Sequence, residues 1–364
     1  MQLIFFGLLV VHGLIHSLGF LKAFNIIQVK ELTQEISRSL GALWLLAAIA
    51  MILAGVGFLF GIQTWWVNAI LAIVLSQALI YRSWQDAKWG TIINIIVFVA
   101  AILSWGSWRF EQEFRRDVKT RLASIQDSSQ DVITPEDLAA LPSPVRRYLE
   151  LVGVVGRPKV QNYRVTLSGR MRSKAREYFR FRSEQYNFTG TPTRLFFMKG
   201  QMFGVTVPGY HRYTEQQAIM DIRLFGLISV IRYDGDLITR SDTVTLLNDM
   251  CLMAPATLID KRIAWQEIDE LTAKATFTNE NITVSATLHF DEEGKLVDFV
   301  SDDRWEMEAM RPYRFSTPIH SYQRLGDYNL PAQGEAIWHY PDGPFSYATI
   351  DILEVDYNLK SLAR

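Results

Sequence analysis

A single cysteine, Cys251, stands in 364 residues. That excludes an intramolecular disulfide framework and a cysteine-rich zinc site. No proline precedes Pro135. Charge is scarce over residues 1–108, where only Lys22, Lys30, Glu31, Glu35, Arg38, Arg82, Asp86 and Lys88 carry one. A chain so poor in charge over its first third is not purely soluble. At 49% hydrophobic residues it is not disordered either. The formal net charge is −1, so there is no basic excess and nucleic acid is not an expected partner. The sequence also lacks a G-x-S-x-G elbow, an H-E-x-x-H pair, a P-loop and a G-x-G-x-x-G turn. No catalytic residue, metal ligand or cofactor is assigned from it.

What is present begins with three uncharged runs, residues 1–21, 39–81 and 89–108. Roughly 20 apolar residues of helix cross a hydrocarbon core of ~30 Å. The middle run is long enough for two spans, and Gly61-Ile-Gln-Thr64 supplies the break. Four spans are expected, at about 3–21, 40–60, 65–81 and 90–108. Trp65, Trp66, Trp84, Trp89, Trp105 and Trp108 fall where an interfacial aromatic belt would lie. The first span has no basic leader and no small-x-small cleavage site, so it is expected to remain as a helix. Lys22, Lys30, Arg38, Arg82 and Lys88 on one set of loops favour a C-terminal part outside the cytoplasm. Arg109, Arg115, Arg116, Lys119 and Arg121 after the last span oppose it. The first helix usually dominates, and we read the orientation as C-out. His12 and His16 share one helix face. They are either a ligand pair or, with more weight, groups that hydrogen-bond between helices.

Residues 109–123 carry charges at helical spacing, and Ser124–Ser129 with Asp131 read as a polar linker. Thr134-Pro135-Glu136-Asp137 starts a short helix. Pro142-Ser143-Pro144 restarts another through Val152. From Val160 onward the pattern is mostly β. Tyr163, Val165 and Leu167 alternate with polar residues, as do Ile282, Val284, Ala286, Leu288 and Phe290. Turn signals such as Tyr233-Asp-Gly-Asp236 separate closely spaced strands. One helix is expected near 241–253, with Leu246, Leu247, Met250 and Met253 on its apolar face. The expected fold is a four-span α-helical transmembrane bundle plus a mainly antiparallel β domain. Its sheet is expected to be curved, a half-barrel around one or two helices. The expected divisions are 1–108, a juxtamembrane helix and linker over 109–134, and 135–364.

The motifs Leu141-Pro-Ser-Pro-Val-Arg-Arg-Tyr-Leu149, Gly235-Asp-Leu-Ile-Thr-Arg240 and Ala254-Pro-Ala-Thr-Leu258 come next. With them go Ala264-Trp-Gln-Glu-Ile-Asp269, Ser301-Asp-Asp-Arg304 and Gly334-Glu-Ala-Ile-Trp338. On these residues the C-terminal half resembles an uncharacterised family of bacterial membrane-associated proteins. The resemblance implies no activity and passes on no catalytic residue. The layout is also similar, at the level of fold alone, to the half-barrels of periplasmic lipoprotein and lipid carriers. The four spans depart from those carriers, as does the lack of a cysteine near the start.

Phe181, Met250, Met253 and Trp265 are the expected lining of an apolar ligand site. Phe196, Phe197, Met198, Met202 and Phe203 form a second greasy cluster. Both sets also suit an ordinary core. Asp302-Asp303-Arg304 is expected on a strand, as a salt bridge or as a charged pair that orients a head group. Glu267 and Asp269 are expected on one strand face, either solvated or in acid–base work. His211, His289, His320 and His339 are scattered.

The leading expectation is a membrane-anchored binding module for a lipid or other apolar small molecule. The alternatives are an interaction or sensing domain coupled to the bundle, and an enzyme acting on a cell-envelope component. The expected place is the bacterial cytoplasmic membrane. The sequence sets no oligomeric state.

Overall fold

The computed structural model describes residues 2–125, 131–202, 204–214 and 217–363. Most of the linker expected over 124–131, and Phe203, lie outside them. The chain divides into two units. One takes the residues up to Phe110 with Phe225–Leu227. The other takes Glu111–Leu224 and the residues from Ile228 onward.

The first unit is built on α1 (Gln2–Ala23), α2 (Arg38–Leu59), α3 (Trp65–Arg82), the short α4 (Trp84–Ala87) and the first part of α5 (Gly90–Ser124). Helices α1, α2, α3 and α5 are long and apolar enough to cross a membrane. A 22-residue helix is about 33 Å long, a full crossing. Leu3, Ile4, Val11, Leu14, Leu71 and Val74 point outward and are exposed, which only a lipid solvent makes stable. The protein is an integral membrane protein. Inside the bundle, Leu9, Met51, Ala54, Ala69, Ala72, Val97 and Ala101 form the core. Glycine lets α1 and α2 approach closely: a Cβ on Gly41 would clash with the Cβ of Ala23.

The second unit opens with residues 111–124 of α5, then α6 (Pro135–Leu138) and α7 (Ser143–Val152). Thr134 and Asp137 form the capping box of α6. Gly153, at φ 86°, ends α7 in the left-handed conformation. Then follow β1 (Asn162–Met171), β2 (Phe179–Phe188), β3 (Thr193–Met202), β4 (Val205–Thr214), β5 (Gln217–Leu224) and β6 (Ile228–Asp234). Helix α8 (Asp236–Met253) and a 3₁₀ turn (Pro255–Ile259) interrupt the strands. The series resumes with β7 (Ile263–Asp269), β8 (Thr272–Asn279), β9 (Ile282–Phe290), β10 (Leu296–Ser301), β11 (Trp305–Glu306) and β12 (Arg311–Pro312). It ends with β13 (Arg314–Ser316), β14 (Ile319–Leu325), β15 (Tyr328–Tyr340) and β16 (Gly343–Tyr357).

Among the described residues these make one 14-stranded antiparallel sheet and the small β11–β12 hairpin. The sheet runs β6-β5-β4-β3-β2-β1-β16-β15-β13-β10-β9-β8-β7, with β14 beside β15. Consecutive hairpins build each half, and β16 joins them by pairing with β1. The expected half-barrel is not formed. Strands β6 and β7 are edges that do not pair with each other, so the sheet stays open, neither closed nor curled. Alternation in a sequence reports which side of a strand is apolar, not how the sheet bends or where its edges meet.

Helix α8 starts at Asp236, earlier than the expected 241, because Gly235 at φ 92° turns the chain straight into it. The signal read as a hairpin turn is the helix entry. α8 is buried on nearly all sides, including Asp242 and Asp249. Its last carbonyls, which have no partner within the helix, accept hydrogen bonds from tyrosines: Cys251 from Tyr148 at 2.8 Å, and Met253 from Tyr357.

Candidate functional site: an apolar cavity with paired and unpaired cations

Strand register aligns apolar side chains across the sheet. One row reads Ile231, Ile222, Gly209, Met198, Ser183, Leu167 and Ile352 from β6 to β16. The next reads Tyr233, Met220, His211, Phe196, Gln185, Val165 and Val355. Side chains two apart share a face, so both rows lie on the side that meets α8. α8 does not fill the space above them. A cavity of about 700 Å³ remains, walled by these rows, by α8 and by the turn of the β11–β12 hairpin. That is an ordinary size for a small-molecule site.

Phe181 and Met253 lie on the cavity wall. Met250 is buried in the core, and Trp265 is half-buried on β7, with its indole N–H donating to the carbonyl of Leu258 at 3.2 Å. Neither is on the wall. Phe196 and Met198 from the greasy cluster are on it. Gly209, Met220 and Ile222 were missed. Met220 and Ile222 continue the alternation from Ala218, a signal that periodicity alone could have found.

Polar groups punctuate the wall. Asp249 of α8 accepts from Arg194 Nε at 2.7 Å and Gln185 Nε2 at 2.6 Å. Arg194 also donates to Gln185 Oε1 at 3.1 Å, so the three side chains close a ring. Burial works against the Arg194 charge, but Asp249 and Asp242 outweigh it and raise its pKa. His211 Nε2 lies 2.5 Å from Asp242 Oδ2. The two are off the line of a good hydrogen bond, and neither atom has another such partner. Burial pushes the Cys251 thiol far up and keeps it protonated.

The triplet at 302–304 is not on a strand. It lies between β10 and β11, and its members take different partners. Asp302 holds Arg314 at 2.9 Å, and Asp303 holds Arg240 at 2.9 Å. Arg304 turns to the cavity. Glu267 and Asp269 are not an acid–base pair. Glu267 accepts the Ser143 N–H at 2.8 Å and so caps α7, while Asp269 accepts from Leu271. His320 bonds Glu335, and His339 lies 2.8 Å from Ser316 Oγ. The scattered histidines are not brought to one place.

In the membrane unit, His12 Nε2 lies 3.0 Å from Asn94 Oδ1, and His16 Nε2 lies 2.7 Å from Ser76 Oγ. Asn94 donates in turn to Ser76 and Gln77. This network ties α1, α3 and α5 together. It uses the histidines as interhelical hydrogen-bonding groups.

A family model described as "Family of unknown function (DUF6544)" matches residues 131–350. The chain belongs to this family. The match spans most of the sheet, α8 and the cavity wall. No curated protein matches this DUF6544 chain in sequence. Among solved structures it is similar to a LolA superfamily protein, NE2245 from Nitrosomonas europaea. The identity is 8%, the TM-score is 0.35, and the match covers 62% of this chain and 94% of that one.

Proposed function

We propose that the second unit is a binding module for a lipid or other apolar small molecule, while the four spans hold the chain in a membrane. The observation that carries this reading is the cavity of about 700 Å³ behind rows of Leu, Ile, Met and Phe side chains. Water in such a space has few hydrogen-bond partners, and an apolar ligand replaces it favourably. Methionines 198, 220 and 253 on the wall adapt to ligands of varied shape.

The test uses the full chain in lipid nanodiscs and the fluorescent fatty acid cis-parinarate. Gly209 marks where the cavity can be filled. A Cβ there would meet Ile222 Cγ1 at 3.4 Å, Met198 Cε at 3.8 Å and the Asp221 carbonyl oxygen at 3.9 Å, all ordinary contacts. Gly209→Leu should therefore fold, place its branch in the cavity and weaken binding by about tenfold or more, the loss of roughly 1.4 kcal/mol. If the wild-type chain binds no apolar probe and carries no lipid when purified, the reading is wrong.

The proposed location is the bacterial cytoplasmic membrane, with the second unit outside the cytoplasm. Lys22, Lys30, Arg38, Arg82 and Lys88 support it. Asp86 accepts from the Thr33 N–H at 2.7 Å and the Thr33 hydroxyl at 2.8 Å. The α1–α2 and α3–α5 connections, which these five cations lie on or flank, are thereby fastened to each other. Alkaline phosphatase fused at the C-terminus should be active. An inactive phosphatase fusion beside a fluorescent green fluorescent protein fusion reverses the orientation.

A further inference from the structure

The cations on the cavity wall are not treated alike. Lys174 pairs with Asp342 at 3.1 Å and Arg194 with Asp249 at 2.7 Å. Arg304 and Arg172, on the same wall, have no carboxylate within ion-pair distance among the described residues. Arg304 donates from Nη1 to the Tyr347 hydroxyl at 3.0 Å, and its Nε–H is enclosed without any partner. Its guanidinium lies 3.9 Å from the Phe315 ring centre, 5.0 Å from Trp338 and 5.9 Å from Tyr347. Arg172 lies 4.7 Å from the Phe345 ring and donates from Nε to the Ser346 carbonyl at 3.1 Å. Both arginines are thus fixed on the same stretch of β16.

Aromatic faces hold a guanidinium in place and exclude water, but they leave its in-plane N–H groups to be satisfied. An enclosed cationic N–H with no acceptor is costly unless an anion supplies one. Most of the nearby acids are engaged elsewhere; Glu308, at the tip of the β11–β12 hairpin, is an exposed carboxylate on the same wall. Glu306 accepts the backbone N–H groups of Glu308 and Ala309, and Glu335 accepts from His320. Asp302 and Asp303, next to Arg304 in the chain, hold Arg314 and Arg240.

We propose that Arg304, assisted by Arg172, binds the anionic head group of an amphiphile whose hydrocarbon chain occupies the cavity. The head group is a carboxylate or a phosphate, either of which matches the edge of a guanidinium. This rests on the binding reading above and sharpens it.

The experiment compares cis-parinarate with its uncharged methyl ester on the full chain in phosphatidylcholine nanodiscs, with protein-free nanodiscs as the blank. Arg304→Met keeps the stem and removes the charge. It should weaken parinarate binding about tenfold or more, the worth of a charged hydrogen bond, and change ester binding less than about twofold. Arg304→Lys should fall between, and it serves if the methionine variant does not fold. On the wild-type chain, laurate and dodecyl phosphate should displace parinarate, and the stronger of the two identifies the head group. Dodecyltrimethylammonium should not displace it. Equal loss of both probes in Arg304→Met, no loss of either, or displacement by the cationic amphiphile overturns the proposal. Failure of the wild type to bind even the ester overturns the cavity reading itself, so the two failures are distinguishable.

Discussion

Replacing Asp249 with leucine should cost the second unit about 3–5 kcal/mol of stability, the usual result of removing one partner from a buried ion pair. Asp249 is 4% exposed and Arg194 7%. The substitution would leave the Arg194 guanidinium inside the protein, with Gln185 Oε1 as its remaining hydrogen-bond acceptor. It would also strip Gln185 Nε2 of the carboxylate that it meets at 2.6 Å. Asp242 still favours the Arg194 charge, which places the expected loss toward the lower end of the range. Asp249→Asn, which keeps an acceptor but no charge, should cost less. The double replacement Arg194→Met with Asp249→Leu should recover most of the loss, because no charge then remains buried. Chemical denaturation of the chain in nanodiscs, followed by hydrogen exchange of β2 and β3, measures all three. A single Asp249→Leu variant as stable as wild type would show that water reaches Arg194.

The parts of this fold that were legible in the sequence are those set by a solvent over many residues. A run of 43 uncharged residues at 39–81 reports a hydrocarbon environment, whatever the neighbours are. The four spans follow from length alone. The strands of the second unit were legible for a related reason, since alternation records one wet and one dry face. Where local signals had two meanings, the reading went astray. Tyr233-Asp-Gly-Asp236 has the composition of a hairpin turn, yet Gly235 leads into α8. The half-barrel was inferred from apolar faces, but edges meet or stay apart through long-range pairing that no single strand encodes.

The site was legible in part for the same reason. Phe181 could be placed because its neighbours alternate, and Met253 because helical spacing marks a face. Met250 belongs to the same helix but packs into the core instead of the wall, a difference of direction that spacing does not resolve. The Arg194–Gln185–Asp249 ring joins residues 55 and 64 apart in the chain, and Glu267 caps α7 from 124 residues away. Nothing local announces either. Arg304 was noticed for its charged neighbours, but those neighbours are not its partners. Its importance lies in what it fails to pair with, which only the folded surroundings reveal.

Phe114→Ala should destabilise the second unit by about 3–5 kcal/mol, as large-to-small changes of buried aromatics do. Phe114 is 1% exposed. Its ring stacks on Phe197 with centres 5.4 Å apart, and it meets Tyr210 edge-on at 5.6 Å. Val118 and Leu122, four and eight residues on, are buried on the same stripe. Polar contacts flank it: Asp117 accepts from the Tyr210 hydroxyl at 2.9 Å, and Glu111 pairs with Lys199. The charges of 109–123 suggested a solvated extension ahead of a linker. Helix α5 does run on to Ser124, and its part from Glu111 onward falls in the second unit, where Phe114, Val118 and Leu122 bury one face of it. A fragment that starts at residue 125 should therefore expose Phe197 and Tyr210 and aggregate, while one that starts at Glu111 should remain soluble and β-rich. Circular dichroism and size-exclusion chromatography of the two fragments, with denaturation of Phe114→Ala in the full chain, check both statements. Equal stability of the two fragments would mean that the helix is an accessory to the sheet and not part of its core.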